Sequence, residues 1–79
     1  MQNKKTIKLR PEEVQNFVNA ASKCTFDINV SSLSTSKYTV DAKSIVGVMG
    51  LDMSRELLVE YNGVDEHFEN VLDGLRAAV

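Results

Sequence analysis

The chain has 79 residues, 11 acidic and 9 basic, with a formal net charge of −2; hydrophobic residues make up 43% and charged residues 25%. That length supports one small domain, expected to span 1–79, which hides roughly 60% of its unfolded surface. The balance is too apolar for a disordered chain and too acidic for nucleic acid to be the main partner, and no apolar run is long enough to cross a membrane.

Lys5 to Leu9 alternates polar and apolar residues, with Ile7 and Leu9 on one face, as in a half-buried strand. Pro11 stands where a first helical residue belongs, with Glu12 and Glu13 opposing the positive end of the helix dipole. Val14, Phe17, Val18 and Ala21 then recur at helical spacing, so Pro11 to Lys23 is expected to be an amphipathic helix. Phe26, Ile28 and Val30 alternate as a second strand, and Ser31 to Ser36 reads as a polar loop. Tyr38 and Val40 mark a third strand, paired as a hairpin with the second.

Ser44 before and Gly50 after the apolar run Ile45, Val46, Val48 and Met49 bracket a short helix. Leu57, Val59 and Tyr61 form a fourth strand, with Glu56 and Glu60 facing away. Asn62-Gly63 turns the chain, and Asp65 caps a last helix whose inner face is Phe68, Val71, Leu72 and Leu75. The order β-α-β-β-α-β-α fits an α+β fold, one sheet with helices on one face. A ferredoxin-like split repeat shares the opening of this order. A middle helix of about two turns favours an open-faced sandwich instead.

Single residues limit the chemistry. Cys24 is the one cysteine, so no internal disulfide forms, and with one histidine there is no zinc set. Cys24 is expected to be a small packing residue. No metal or cofactor is expected, nothing resembles a secretory signal, and the expected compartment is the cytoplasm. Gly47-Val48-Met49-Gly50 matches a bare GxxG, the backbone clamp of KH domains, but its centre is apolar and no cation follows before Arg55.

The run Val40-Asp41-Ala42-Lys43-Ser44-Ile45-Val46-Gly47-Val48-Met49-Gly50-Leu51 resembles the signature of HPr, the histidine phosphocarrier family of the bacterial sugar phosphotransferase system. Ala21-Ser22-Lys23 and Asp65-Glu66 are similar to the family at matching places, so the resemblance covers nearly the whole chain. It implies an HPr-like open-faced β-sandwich, with four antiparallel strands and three helices on one face. It also implies a role in sugar transport and carbon catabolite regulation rather than an enzyme's activity. In the family, a Gly-Leu-His-Ala-Arg-Pro-like loop joins the first strand to the first helix. Its histidine takes phosphate from enzyme I and passes it to sugar-specific partners.

Here that junction reads Ile7-Lys8-Leu9-Arg10-Pro11-Glu12. Matching Arg10-Pro11 to the family's Arg-Pro puts Lys8 at the histidine position; matching through Ala21-Ser22 puts Arg10 or Pro11 there. Neither register supplies an imidazole. Lysine and arginine are cationic near neutral pH, with the attacking lone pair taken up. His67, the single histidine, falls in the first turn of the last helix after two acids, where a phosphoryl donor is repelled. No catalytic residue is expected.

Ser44 matches the serine that, in Gram-positive members, a dedicated ATP-dependent kinase phosphorylates to create a corepressor for a transcription regulator. A phosphate at a helix start faces free N–H groups, and Lys43 beside it can screen the charge. The plainer role for Ser44 is an N-cap alone. Lys43, Ile45, Val46 and Met49 form the expected partner-binding set, since Ile45, Val46 and Met49 match the family's docking positions and methionine adapts to varied surfaces. The plainer role for the apolar residues is to seal the sheet. The leading expectation is therefore a regulatory or protein-binding HPr-like protein, a monomer, with enzyme I, a serine kinase or a transcription regulator as partner. The alternatives are a phosphocarrier, through His67 or a residue not recognised, and a binding module on the same fold with no link to sugar transport.

Overall fold

The computed structural model describes residues 3–33 and 35–75, without the side chains of 35–37. The elements run β1 (Asn3–Ile7), a short 3-10 turn (Pro11–Glu13), α1 (Val14–Ser22), β2 (Ile28–Ser32), β3 (Thr35–Asp41), α2 (Ile45–Met49), β4 (Leu57–Tyr61) and α3 (Glu66–Leu75). The strands form one antiparallel sheet in the order β1-β4-β2-β3. The expected α+β order, the β2–β3 hairpin and the three helices are all present.

Strand alternation decides which face is covered. Ile7, Ile28, Val30, Leu57, Val59 and Tyr61 point to the helices and are at most 1% exposed. Phe17, Val18, Val48, Phe68 and Leu72 meet them from the helical layer. Phe68 lies edge-on to Tyr61 at 5.4 Å, while Phe26 stacks on the same tyrosine at 5.9 Å. Such ring pairs add about 0.5–1.5 kcal/mol beyond burial. The Tyr61 hydroxyl leaves this apolar cluster by donating to Glu69 of α3, which also meets Lys5 of β1 at 3.5 Å. Burial first, and then the Glu69 carboxylate, push the Tyr61 phenol well above its usual pKa.

Several boundaries differ from the sequence reading. The first strand is Asn3–Ile7 rather than Lys5 to Leu9. Leu9 is still fully buried, but the N–H of Lys8 donates to the Leu75 carbonyl at 2.8 Å, so the chain has already left the ladder. The Phe26 ring packs on the sheet ahead of β2, which begins at Ile28. The expected serine loop is largely strand. Ser31 and Ser32 lie in β2, each 4% exposed, and pair with Leu58 and Leu57 on one side and Thr39 and Thr35 on the other. A central strand satisfies its backbone on both edges, and small hydroxyl residues fit between flanking strands; polarity alone misread them. Ser34 lies outside the described residues. Gly50 ends α2 at φ −77°, so the stop needs no left-handed glycine; its N–H is instead shared between the carbonyls of Val46 and Gly47.

Gly63 is required for space. A Cβ there would lie 2.3 Å from the Phe26 ring, and its carbonyl accepts from Asn3 Nδ2 at 3.1 Å. Replacing Gly63 by Ala forces the ring off its stack on Tyr61. Urea denaturation of Gly63→Ala is expected to show a loss of about 1–3 kcal/mol.

Candidate functional site

Two neighbourhoods hold the residues singled out by the sequence: the β1–α1 junction and the start of α2. At the junction, Leu9 is anchored in the core while its neighbours Lys8 and Arg10 are exposed. Pro11 starts the 3-10 turn, and Glu13 reaches back so that its Oε1 accepts from the Arg10 N–H at 3.0 Å. The Arg10 guanidinium faces the same oxygen at 3.4 Å and Glu12 at 3.9 Å. This cation is thus set among carboxylates, an exposed grouping worth little to stability.

Pairing of Ile7 with Leu57 brings the α2–β4 connection beside Lys8. Lys8, Ser54, Arg55 and Glu56 line an open recess there of about 360 Å³. Asp52 braces the connection by accepting from the backbone and hydroxyl of Ser54, which hold its carboxyl below the usual carboxylate range. The part played by Ser54 and Arg55 in this recess was not read from the sequence. They stand in a segment without periodicity, and only the strand register carries them to Lys8. His67 is exposed in the first turn of α3, beside Glu66 and after Asp65, which caps the helix by accepting from the Phe68 N–H at 2.9 Å.

At α2, Ser44 is an N-cap in extended conformation, with Oγ accepting from the Gly47 N–H at 3.2 Å. The residue is exposed. The apolar run divides between two environments. Val48 is fully buried and Ile45 packs partly on the core, while Val46 is 79% and Met49 59% exposed. The apolar residues therefore do not all seal the sheet, and Ile45 is less available than its two exposed neighbours. Gly47 lets the helix approach β3, since a Cβ there would lie 3.2 Å from that of Val40. The GxxG run lies in α2 and its capping residue, with Val48 in the core, so it forms no loop able to clamp a nucleic-acid backbone.

Lys43 is placed differently from the expected screen over Ser44. Its ammonium crosses to the end of α1 and donates to the Cys24 carbonyl at 3.0 Å. Cys24 itself is 5% exposed, its thiol donating to the Ala20 carbonyl at 3.5 Å. Burial pushes the thiol up, and Asp65 adds to that. Among the described residues no cluster of His, Cys, Asp and Glu could hold a metal ion, and no helix is long and apolar enough to cross a membrane.

The family model of the PTS HPr component phosphorylation site matches residues 1–79. The chain belongs to the HPr family. Proteins of this family are phosphocarriers that interact with other proteins of the phosphotransferase system and are not enzymes themselves. The chain is similar in fold to the phosphocarrier protein HPr of Bacillus anthracis str. Ames, with TM-score 0.67, 23% identity and 96% of each chain covered. It is also similar to HPr-C-His of Thermoanaerobacter tengcongensis, with TM-score 0.58, 28% identity, and coverage of 95% of this chain and 85% of that one. No curated protein matches the sequence.

The cap predicts its own test. Ser44→Ala removes the bond to Gly47 and is expected to lower unfolding free energy by about 1 kcal/mol in urea titrations.

Proposed function

We propose that this member of the HPr family acts as a regulatory, protein-docking domain of the phosphotransferase system, not as a histidine phosphocarrier. In this reading it is a single-domain cytoplasmic monomer, divergent from the family's phosphorylatable histidine loop. The observation that supports it is the side-chain set where β1 meets α1. Lys8, Arg10 and Arg55 stand there, two of them on one recess, and no imidazole is present among the residues of that connection. An imidazole nitrogen can attack phosphorus near neutral pH because its neutral form keeps a lone pair; an ammonium or guanidinium has none to give. His67 has the right atom but is exposed on α3 next to Glu66 and after Asp65, whose carboxylates repel a phosphoryl donor.

In the same reading, α2 carries the function that remains. Val46 and Met49 dock a protein partner, with Ile45 setting the helix on the core beneath them. Ser44, exposed at the same helix, receives a regulatory phosphate from an ATP-dependent serine kinase. Adding about two negative charges next to an apolar surface changes which partner that surface accepts. Enzyme I, the kinase and a transcription regulator are the partner classes in this proposal.

Three measurements test it. Incubation with enzyme I and phosphoenolpyruvate is expected to yield no acid-labile phosphate; a phosphoryl group that moves on to a sugar permease component restores the carrier reading. Its loss in His67→Ala would then identify the carrier residue. With ATP and an HPr serine kinase, a gain of one phosphate is expected in the native protein and none in Ser44→Ala. For docking, Val46→Asp is expected to weaken enzyme I binding about tenfold or more by calorimetry, with unfolding free energy nearly unchanged, as befits an exposed position.

A further inference from the structure

We propose that Lys43 is a strap with two positions: it holds the end of α1 while Ser44 is bare and transfers to the phosphoryl group once Ser44 carries one. This deepens, and rests on, the reading of Ser44 as a modified residue. The starting position is built into the turn before α2. The N–H of Ser44 donates to the Asp41 carbonyl at 3.0 Å, and the N–H of Lys43 donates to Asp41 Oδ1 at 2.9 Å. The backbone of Lys43 is pinned, and its side chain alone spans to the other helix.

Its Nζ bonds the Cys24 carbonyl at 3.0 Å in a part-buried contact. That carbonyl lies just beyond α1, where the N–H groups of Lys23 and Cys24 fold back onto Ala20 and Ala21. An ammonium in this place complements the negative end of the helix. Its acceptor is nevertheless a neutral oxygen, and the bond links elements far apart in sequence.

Phosphorylation changes the competition for this ammonium. The Oγ–P bond forms as the terminal P–O bond of ATP breaks, ADP leaves and the hydroxyl proton passes to solvent. The new group offers three strong acceptor oxygens and roughly two negative charges. An ammonium bonded to it gains the attraction of opposite charges, which a carbonyl does not supply. Successive Cα atoms are about 3.8 Å apart, and the flexible four-carbon stem of lysine lets Nζ swing between the two acceptors. The mark on α2 is thereby felt at α1, because the Cys24 carbonyl loses its donor.

The test uses the full chain made by chemical synthesis, with serine or phosphoserine at position 44 and with Lys43 or Lys43→Met. Amide exchange at Lys23 and Cys24 is followed by NMR. With Lys43 present, phosphorylation is expected to speed exchange at both amides about fivefold, the scale of one modest hydrogen bond. Unphosphorylated Lys43→Met should exchange at the faster rate already, and phosphorylating it should add nothing. Equal protection with and without phosphate overturns the strap, as does a phosphate effect that persists in Lys43→Met. Lys43→Gln serves in its place if the methionine chain lacks a native spectrum. Since the phosphate is installed chemically, refusal of Ser44 by a kinase would count against the reading of Ser44 and leave the strap to its own result.

Discussion

A sheet of this size has two faces, and three short helices can cover only one of them. That constraint sets everything else in the molecule. The covered face takes Ile7 of β1, Ile28 and Val30 of β2 and Leu57, Val59 and Tyr61 of β4, together with the Phe17 and Phe68 rings. α1 and α3 are long enough to bury a full stripe. α2 has five residues and can turn only part of its surface inward, which Val48 and Ile45 occupy. Val46 and Met49 are left facing water by geometry, since a five-residue helix between Ser44 and Gly50 has no further inner positions to offer. Among the described residues Leu33, Tyr38 and Val64 are the other large apolar side chains left exposed, and only Val46 and Met49 share one helix.

Much of this was legible in the residues themselves. Helical spacing in Val14 to Ala21 and Phe68 to Leu75 and alternation in Leu57 to Tyr61 located the main elements. Ser44 and Asp65 announced two helix starts because a capping side chain is a local device, readable without knowing the rest of the fold. The misreadings came where the deciding partner is distant. Ser31 and Ser32 look like loop until strands from both sides supply their hydrogen bonds, and Leu9 looks like strand until α3 captures the N–H beside it. The site shows the same limit. Adjacency in sequence puts Lys43 near Ser44, yet its ammonium is claimed by a carbonyl just beyond α1, and Arg55 reaches Lys8 only through the β1–β4 register.

The chemistry of the β1–α1 junction follows from side-chain type more than from shape. The chain keeps the family's sheet and helices, and it keeps positive charge where strand meets helix. A cation binds an oxyanion without forming a bond to phosphorus, and that is the chemistry the Lys8 and Arg10 side chains can offer. Glu12 and Glu13 beside Arg10 temper that charge further.

The bond from the Lys8 amide to the Leu75 carbonyl has its own consequence. It makes the final helical turn a latch for the segment that leaves β1, so the two halves of the chain close on each other across the covered face. A peptide or fusion partner that pulls on that turn would tug directly on the junction's backbone. Any reporter attached after α3 therefore needs a slack spacer if the loop's native geometry is to be preserved.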